Sequence, residues 1–387
     1  MIWILLVCSF LLSLFIAFLF ILNKKNLNIW IVSYIKQLFR KEEKAEGPVH
    51  LMFCFVDHFE PQWNSPKSID IERVRVDRWL NDYPLVAGKH KDADGNYPQH
   101  TFFYPIEEYR KEHLDKIQSL CEMGYGEIEV HLHHHDDTPE NLRQTIEGFK
   151  SVLVEDHNSL SFDPDGNVGF AFIHGNWALD NSHPEGMHCG INDELKILNE
   201  LGCYVDMTLP SAPGPTQTST INSIYMAHDD LEKPKSHDKG DIVKVGKELD
   251  GDLMIVQGPL SLDWKNRKKK ILPTIENSDI RDSFPPSEDR VDLWVDQKIH
   301  VKGRPEWVFI KIHTHGTQDD SIDTLLGEPV DKMFSYLEAK YNDGESYVLH
   351  YVNAREVYNI IKAARDGKSG NPNDYRDYWY KMRAGSK

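Results

Sequence analysis

A chain of 387 residues with 40% hydrophobic and 27% charged side chains has room for one large domain with a sizeable core, which excludes an extensively disordered protein. Its 61 Asp and Glu against 44 Lys and Arg give a formal charge of −17, a field that repels phosphates and disfavours a nucleic-acid partner. The five cysteines, Cys8, Cys54, Cys121, Cys189 and Cys203, form no CxxC pair and no disulfide-scaffold spacing, so nothing in them demands an oxidising compartment.

Residues 1–23 (MIWILLVCSFLLSLFIAFLFILN) contain no charged side chain and have about the ~20 apolar residues that a bilayer-spanning helix needs. Without a basic leading region or a small-x-small cleavage site, the run reads as an uncleaved transmembrane anchor. Lys24, Lys25, Lys36, Arg40, Lys41 and Lys44 follow it, and this asymmetry predicts a single-pass membrane protein whose soluble part is cytoplasmic. Within residues 24–45, Trp30, Tyr34 and Leu38 share a helical stripe with Ile31, Ile35 and Phe39 beside it, the pattern of a basic amphipathic helix on a lipid surface.

From residue 46 the pattern changes to short apolar strands alternating with helices. Strands are expected at 50–57, 100–104, 127–133, 168–174, 203–207, 307–313 and 346–351, with Thr138-Pro139-Glu140 and Asn192 opening two of the helices. Residues from about 210 to 305 break the rhythm with prolines and the basic run 265–270, and read as a long insertion; 367–387 read as a tail after a domain spanning 46–366. Repeated βα units of this kind form a parallel sheet, doubly wound or closed as a barrel, with ligands at the carboxyl ends of the strands. No glycine-rich phosphate fingerprint follows any strand, which weighs against a dinucleotide or P-loop enzyme.

Polar residues fall at those carboxyl ends. Asp57 and His58 end the first strand, His131, His133, His134 and His135 the third, His174 the fourth, and His313 and His315 the sixth. Imidazole and carboxylate are the ligands of zinc and similar divalent ions, so a metal site is the economical explanation for the clustering. Strand alternation would put His131, His133 and His135 on one face, whereas a turn after His131 would favour His131 with His135.

These stretches resemble the polysaccharide deacetylase family over roughly residues 50–360. FVDHFEP at 55–61 is similar to the family's first motif, which implies Asp57 as general base and His58 at the metal position. HLHHH at 131–135 is similar to the second, which implies His131 and His135 as metal ligands. FIKIHTHG at 309–316 is similar to the fifth, which implies His313 or His315 as general acid. Where the family's third motif has arginine and proline, this chain has FIHGNWALDNS at 172–182, with His174, Asn176 and Trp177 as candidates for substrate contact.

The resemblance implies a distorted seven-stranded (β/α) barrel, here preceded by the transmembrane helix. It also implies a metal-dependent hydrolase, with zinc the expected ion, that removes acetyl groups from an N- or O-acetylated glycan. Trp177, Tyr104 and Trp264 are aromatic faces on which a sugar ring could stack. A second reading compares HLH with the HxH of amidohydrolases and PHP-type phosphoesterases, but there the motif ends the first strand and here it ends the third. A third reading, a carbohydrate-binding barrel without turnover, is opposed by the acidic residue and the several histidines at separate strand ends.

Overall fold

The computed structural model describes residues 2–41, 43–268 and 272–383; the last two residues of the basic run and the last four of the tail lie outside them. The chain begins with two helices, α1 (Ile2–Lys24) and α2 (Leu27–Leu38). Trp30 and Tyr34, the stripe read as lipid-facing, are buried instead against Ala212, Ile221 and Leu260 of the chain's own 210–305 stretch. Two hydrogen bonds fasten the helix there, Asn26 Nδ2 to Pro213 O and Gln37 Nε2 to Ile221 O, both 2.8 Å. An apolar helix face can be buried once, and here protein takes the place expected for lipid.

The expectation of a transmembrane helix is overturned. Among the described residues no helix is long and apolar enough to cross a membrane. The single-pass membrane location, the orientation inferred from the flanking lysines and the lipid partner rested on that helix and are corrected with it.

Each of the seven apolar runs forms a strand, because runs rich in Val, Ile, Phe and Leu suit a sheet covered on both faces. They are β1 (Val49–His58), β2 (His100–Pro105), β3 (Gly126–Leu132), β5 (Val168–His174), β6 (Cys203–Asp206), β13 (Trp307–Thr314) and β14 (Tyr347–Val352). Between them come α3 (Ile69–Ala87), α4 (Lys111–Glu122), α5 (Pro139–His157), α6 (Glu194–Glu200), α8 (Ile322–Leu325) and α9 (Glu328–Tyr341), with α10 (Ala354–Arg365) closing the series. Thr138 caps α5 by accepting from Asn141 N–H, with Pro139 in the first turn. Asn192 does not cap α6: its side chain accepts a 3.0 Å bond from Asn181 Nδ2, and the helix starts two residues later.

The remaining elements are β4 (Ser161–Phe162) and, inside the stretch read as an insertion, β7 (Ile224–Ala227), β8 (Gly240–Ile242), β9 (Leu253–Val256), β10 (Ser261–Lys268), β11 (Leu272–Glu276), β12 (Asp279–Ile280) and α7 (Glu288–Asp296). The fold is mixed α/β, with one mostly parallel sheet of 12 strands in the order β12-β13-β1-β2-β3-β5-β6-β9-β7-β8, β14 also pairing with β1 and β4 with β5. That path has two ends, so the expected seven-stranded barrel is corrected. The 210–305 stretch contributes four strands to the sheet, and β7 runs antiparallel to both β8 and β9.

β1 is the central strand, paired along its length with β13, with β14 over its first half and with β2 over its second. Alternate residues of a strand enter different layers. Leu51, Phe53 and Phe55 join a core with α3 and α9, while Met52, Cys54 and Val56 join a second core with β6, β9 and α10. The same parity sorts Val130 from His131, Ile173 from His174 and Ile312 from His313, and it decides which polar ends can meet.

Candidate metal centre

Parity sends His58, His131 and His313 to the layer of the second core, and Asp57 and His174 to the layer of the first. His58 and His131 stand edge to face with centroids 4.9 Å apart, and His315 stacks on His58 at 4.6 Å. Between them lies Glu60, two residues beyond His58 and 3% exposed. Glu60 Oε1 is 3.1 Å from His133 Nε2 and 3.5 Å from His131 Nε2, and Oε2 accepts a 2.9 Å bond from Gln318 Nε2. Two groups with metal-ligand spacing therefore share one carboxylate: His58, Glu60 and His315, and Glu60, His131 and His133.

The electrostatics favour a cation at this point. Burial opposes ionisation of Glu60, but the approach of His131 and His133 outweighs it and holds the carboxyl well below its ordinary range. Burial likewise opposes charge on His133, yet its bonds to Glu107 and Glu60 raise it to about 10. His58 is held well below the ordinary imidazole range by burial and by the neighbouring His315 and His131, so it stays neutral with a lone pair to offer. His131 donates Nδ1–H to Ile173 O at 2.7 Å, which fixes the tautomer and directs the Nε2 lone pair inward. That Nε2 is buried without a hydrogen-bond partner and faces a carboxylate oxygen. A buried lone pair opposite an anion is unfavourable unless a cation lies between, and this donor set of imidazoles and one carboxylate fits a divalent ion of the zinc class.

The other candidates are placed as follows. Asp57 is fully buried on the opposite face, where Oδ2 meets His100 Nε2 at 2.9 Å and Oδ1 accepts Gly316 N–H at 2.5 Å. His135 belongs to neither group: its Nδ1 accepts the backbone N–H of His188 at 2.9 Å. His174 joins His134, Cys189 and Glu194 on the far face. Asn176 and Trp177 both have left-handed φ, 53° and 54°, a conformation that is costly for tryptophan and is often retained at functional sites. The indole stands 5.5 Å from His58 and 5.4 Å from His315. Tyr104 is buried in the core and Trp264 is exposed on β10, so neither meets Trp177.

A cavity of about 340 Å³ opens beside the centre, lined by Asn176, Trp177, His183, His188, the 210–216 loop, Asn277, Arg281 and His313. Burial, and then the charge of Lys311, hold His313 well below the ordinary imidazole range, so it faces the cavity as a neutral ring. Sequence reasoning missed Glu60, although the signal was present: in Asp57-His58-Phe59-Glu60 the carboxylate falls on the side of His58, at the alternation of an extended chain.

Lys311 lies beneath His313, 1% exposed, donating to Met207 O at 2.7 Å and to Leu209 O at 2.5 Å. Burial lowers its pKa from 10.5 to about 7, against the pull of Asp206. Between those two values the unfolded chain holds the extra proton, so stability rises with pH across that window. From about pH 7 to about pH 9, the wild type should gain about 2 kcal/mol relative to Lys311→Met in urea unfolding. Parallel pH profiles for the two proteins would remove the basis for a neutral buried amine.

No family model and no curated protein matches the chain. Among solved structures, the chain is similar to a "putative polysaccharide deacetylase from Mycobacterium smegmatis", at 12% identity and a TM-score of 0.41, over 84% of this chain and 94% of that one.

Proposed function

We propose that the protein is a metal-dependent hydrolase that removes acetyl groups from an N- or O-acetylated glycan. The carrying observation is the buried, unpartnered Nε2 of His131 facing Glu60, with the cavity of Trp177 and His313 beside it. Glu60, His131 and His133, with His58 and His315 alongside, would hold the ion. The chemistry such an ion supplies when bound is Lewis acidity toward a carbonyl oxygen and a lowered pKa for its water.

The chain's own residues do the rest. Asn176, Asn277 and Arg281 give the cavity hydrogen-bonding edges, and the indole of Trp177 gives it an apolar face, a combination suited to a sugar ring. His313, neutral at rest, takes a proton from the attacking water and returns it to the departing nitrogen or oxygen as the C–N or C–O bond breaks. Water's oxygen ends in acetate; one of its protons ends on the free amine or hydroxyl and the other leaves with acetic acid, which ionises in solution. Asp57 serves as a positioning residue: by gripping Gly316 N–H it fixes the chain that carries His315.

The full-length protein should contain a tightly bound divalent ion by elemental analysis and release acetate from at least one member of a panel of N- and O-acetylated glycans. Stoichiometric metal with no acetate from any panel member would refute the reading. Trp177→Ala should leave the metal content unchanged and raise KM up to about tenfold, the scale of one lost aromatic stacking contact. An unchanged KM would place the sugar elsewhere.

A further inference from the structure

On the far face of the β3–β5 pair, four side chains from four places in the sequence converge. They are His134 after β3, His174 at the end of β5, Cys189 in the long loop that follows, and Glu194 in the first turn of α6; one ligand atom from each lies within 4.8 Å of all the others. His134 Nε2 is 2.7 Å from His174 Nε2, and Glu194 Oε1 is 3.2 Å from the first and 3.3 Å from the second. Cys189 Sγ is 3.3 Å from Glu194 Oε2. The Glu60 centre uses none of these residues.

The outer bonds decide what the inner atoms carry. His174 Nδ1 lies 2.5 Å from Gly175 O, which only accepts, so its proton is on Nδ1 and its Nε2 bears a lone pair. His134 Nδ1 is 2.8 Å from Asp137 Oδ2, and Asp137 Oδ1 is in turn held by Thr138 N–H and Asn141 Nδ2, both 2.7 Å. A carboxylate behind an imidazole N–H is the arrangement that orients a metal-binding histidine. Glu194 is steadied by Asp180 N–H on Oε2 at 2.6 Å. Two imidazole nitrogens and a carboxylate oxygen thus point at one another in a buried space, an arrangement stabilised by positive charge placed among them, whether a proton or a metal ion.

We propose that His134, His174, Cys189 and Glu194 form a second, structural divalent-metal site of the zinc class. Four protein donors leave no position for substrate, as in closed structural sites, and tetrahedral zinc separates two nitrogens by about 3.3 Å and nitrogen from sulfur by about 3.5 Å. The 2.7 Å contact between the two imidazole nitrogens has to lengthen by about 0.6 Å, and the four ligand atoms already lie within 4.8 Å of one another. A single proton on His134 Nε2, with the Cys189 thiol donating to Glu194 Oε2, is the competing arrangement, and a thiolate bound to metal is what separates the two. The ion ties the ends of β3 and β5 to α6 across the 175–193 loop, which carries Asn176 and Trp177 into the cavity.

The test uses full-length protein. Elemental analysis should give two ions per chain in the wild type and one in Glu60→Gln. After exchange into cobalt, the wild type and Glu60→Gln should both show a near-ultraviolet thiolate-to-cobalt charge-transfer band, and Cys189→Ser should lose it; the wild-type band stands even if that variant fails to fold. Cobalt-loaded wild type without such a band, or a Glu60→Gln protein with no remaining ion, overturns the proposal. The band does not depend on the Glu60 centre, so failure of the deacetylase reading and failure of this site are separable.

Discussion

Glu60→Gln should lose the catalytic ion and reduce acetate release by about 10³-fold, with the fold intact. The size follows from the position of Glu60, which belongs to both metal-ligand groups and supplies their only negative charge. Structural zinc binding is worth about 10–16 kcal/mol over four ligands, so one ligand accounts for roughly 3 kcal/mol, or about 10²-fold in affinity. Loss of charge adds to this, because the amide offers the ion a neutral oxygen and turns an N–H donor toward His131 or His133. His131→Ala should behave similarly, since its tautomer is fixed by Ile173 O and its Nε2 has no hydrogen-bond partner and faces Glu60. Unchanged far-ultraviolet circular dichroism separates loss of metal from unfolding. A Glu60→Gln protein with full metal and full turnover would move the chemistry away from this centre.

The strands were legible because β1, β5 and β13 are largely apolar runs that lead into histidine and β3 alternates apolar with polar residues up to its histidines, patterns that survive without knowledge of the partners. The histidines were legible as a group for the same reason. Their sorting was not: whether His131 meets His133 or His135 depends on where the chain leaves β3, and the structure turns His135 toward His188. Cys189 and Glu194 could not be paired with His134 from sequence, since a 19-residue loop of irregular backbone brings them together. The strands within 210–305 are two to eight residues long and partly antiparallel, too short and too mixed in period to separate from loop. The stripe of α2 was real, but an amphipathic face does not say whether lipid or protein will cover it. Trp30 and Tyr34 are buried by protein.

Glu276→Ala is expected to destabilise the protein by about 3–5 kcal/mol, the usual cost of stranding one partner of a buried ion pair. Glu276 is fully buried at the end of β11, where it accepts from Arg290 Nε at 2.7 Å, Arg290 Nη2 at 3.0 Å, Trp294 Nε1 at 2.8 Å and Ser278 N–H at 2.8 Å. Removing the carboxylate leaves two neutral donors unpaired and a guanidinium uncompensated, although Arg290 keeps the carbonyls of Phe284, Pro285 and Asp279 and its contact with the Phe284 ring. The retained contacts place the loss toward the lower end of the range. Arg290→Met on the Glu276→Ala background should recover part of it, because the pair is then absent rather than broken. Urea unfolding of the two single variants and the double variant measures this, and a loss under about 1 kcal/mol for Glu276→Ala would mean that the pair is solvated. The effect should reach the cavity. Ser278 O accepts from His313 N–H at 3.0 Å and β12 pairs with β13 at His313 and Thr314, so loosening the end of β11 releases the strand that holds His313, the proton carrier in the proposed function. Turnover in Glu276→Ala should therefore fall at temperatures where its global fold is still intact.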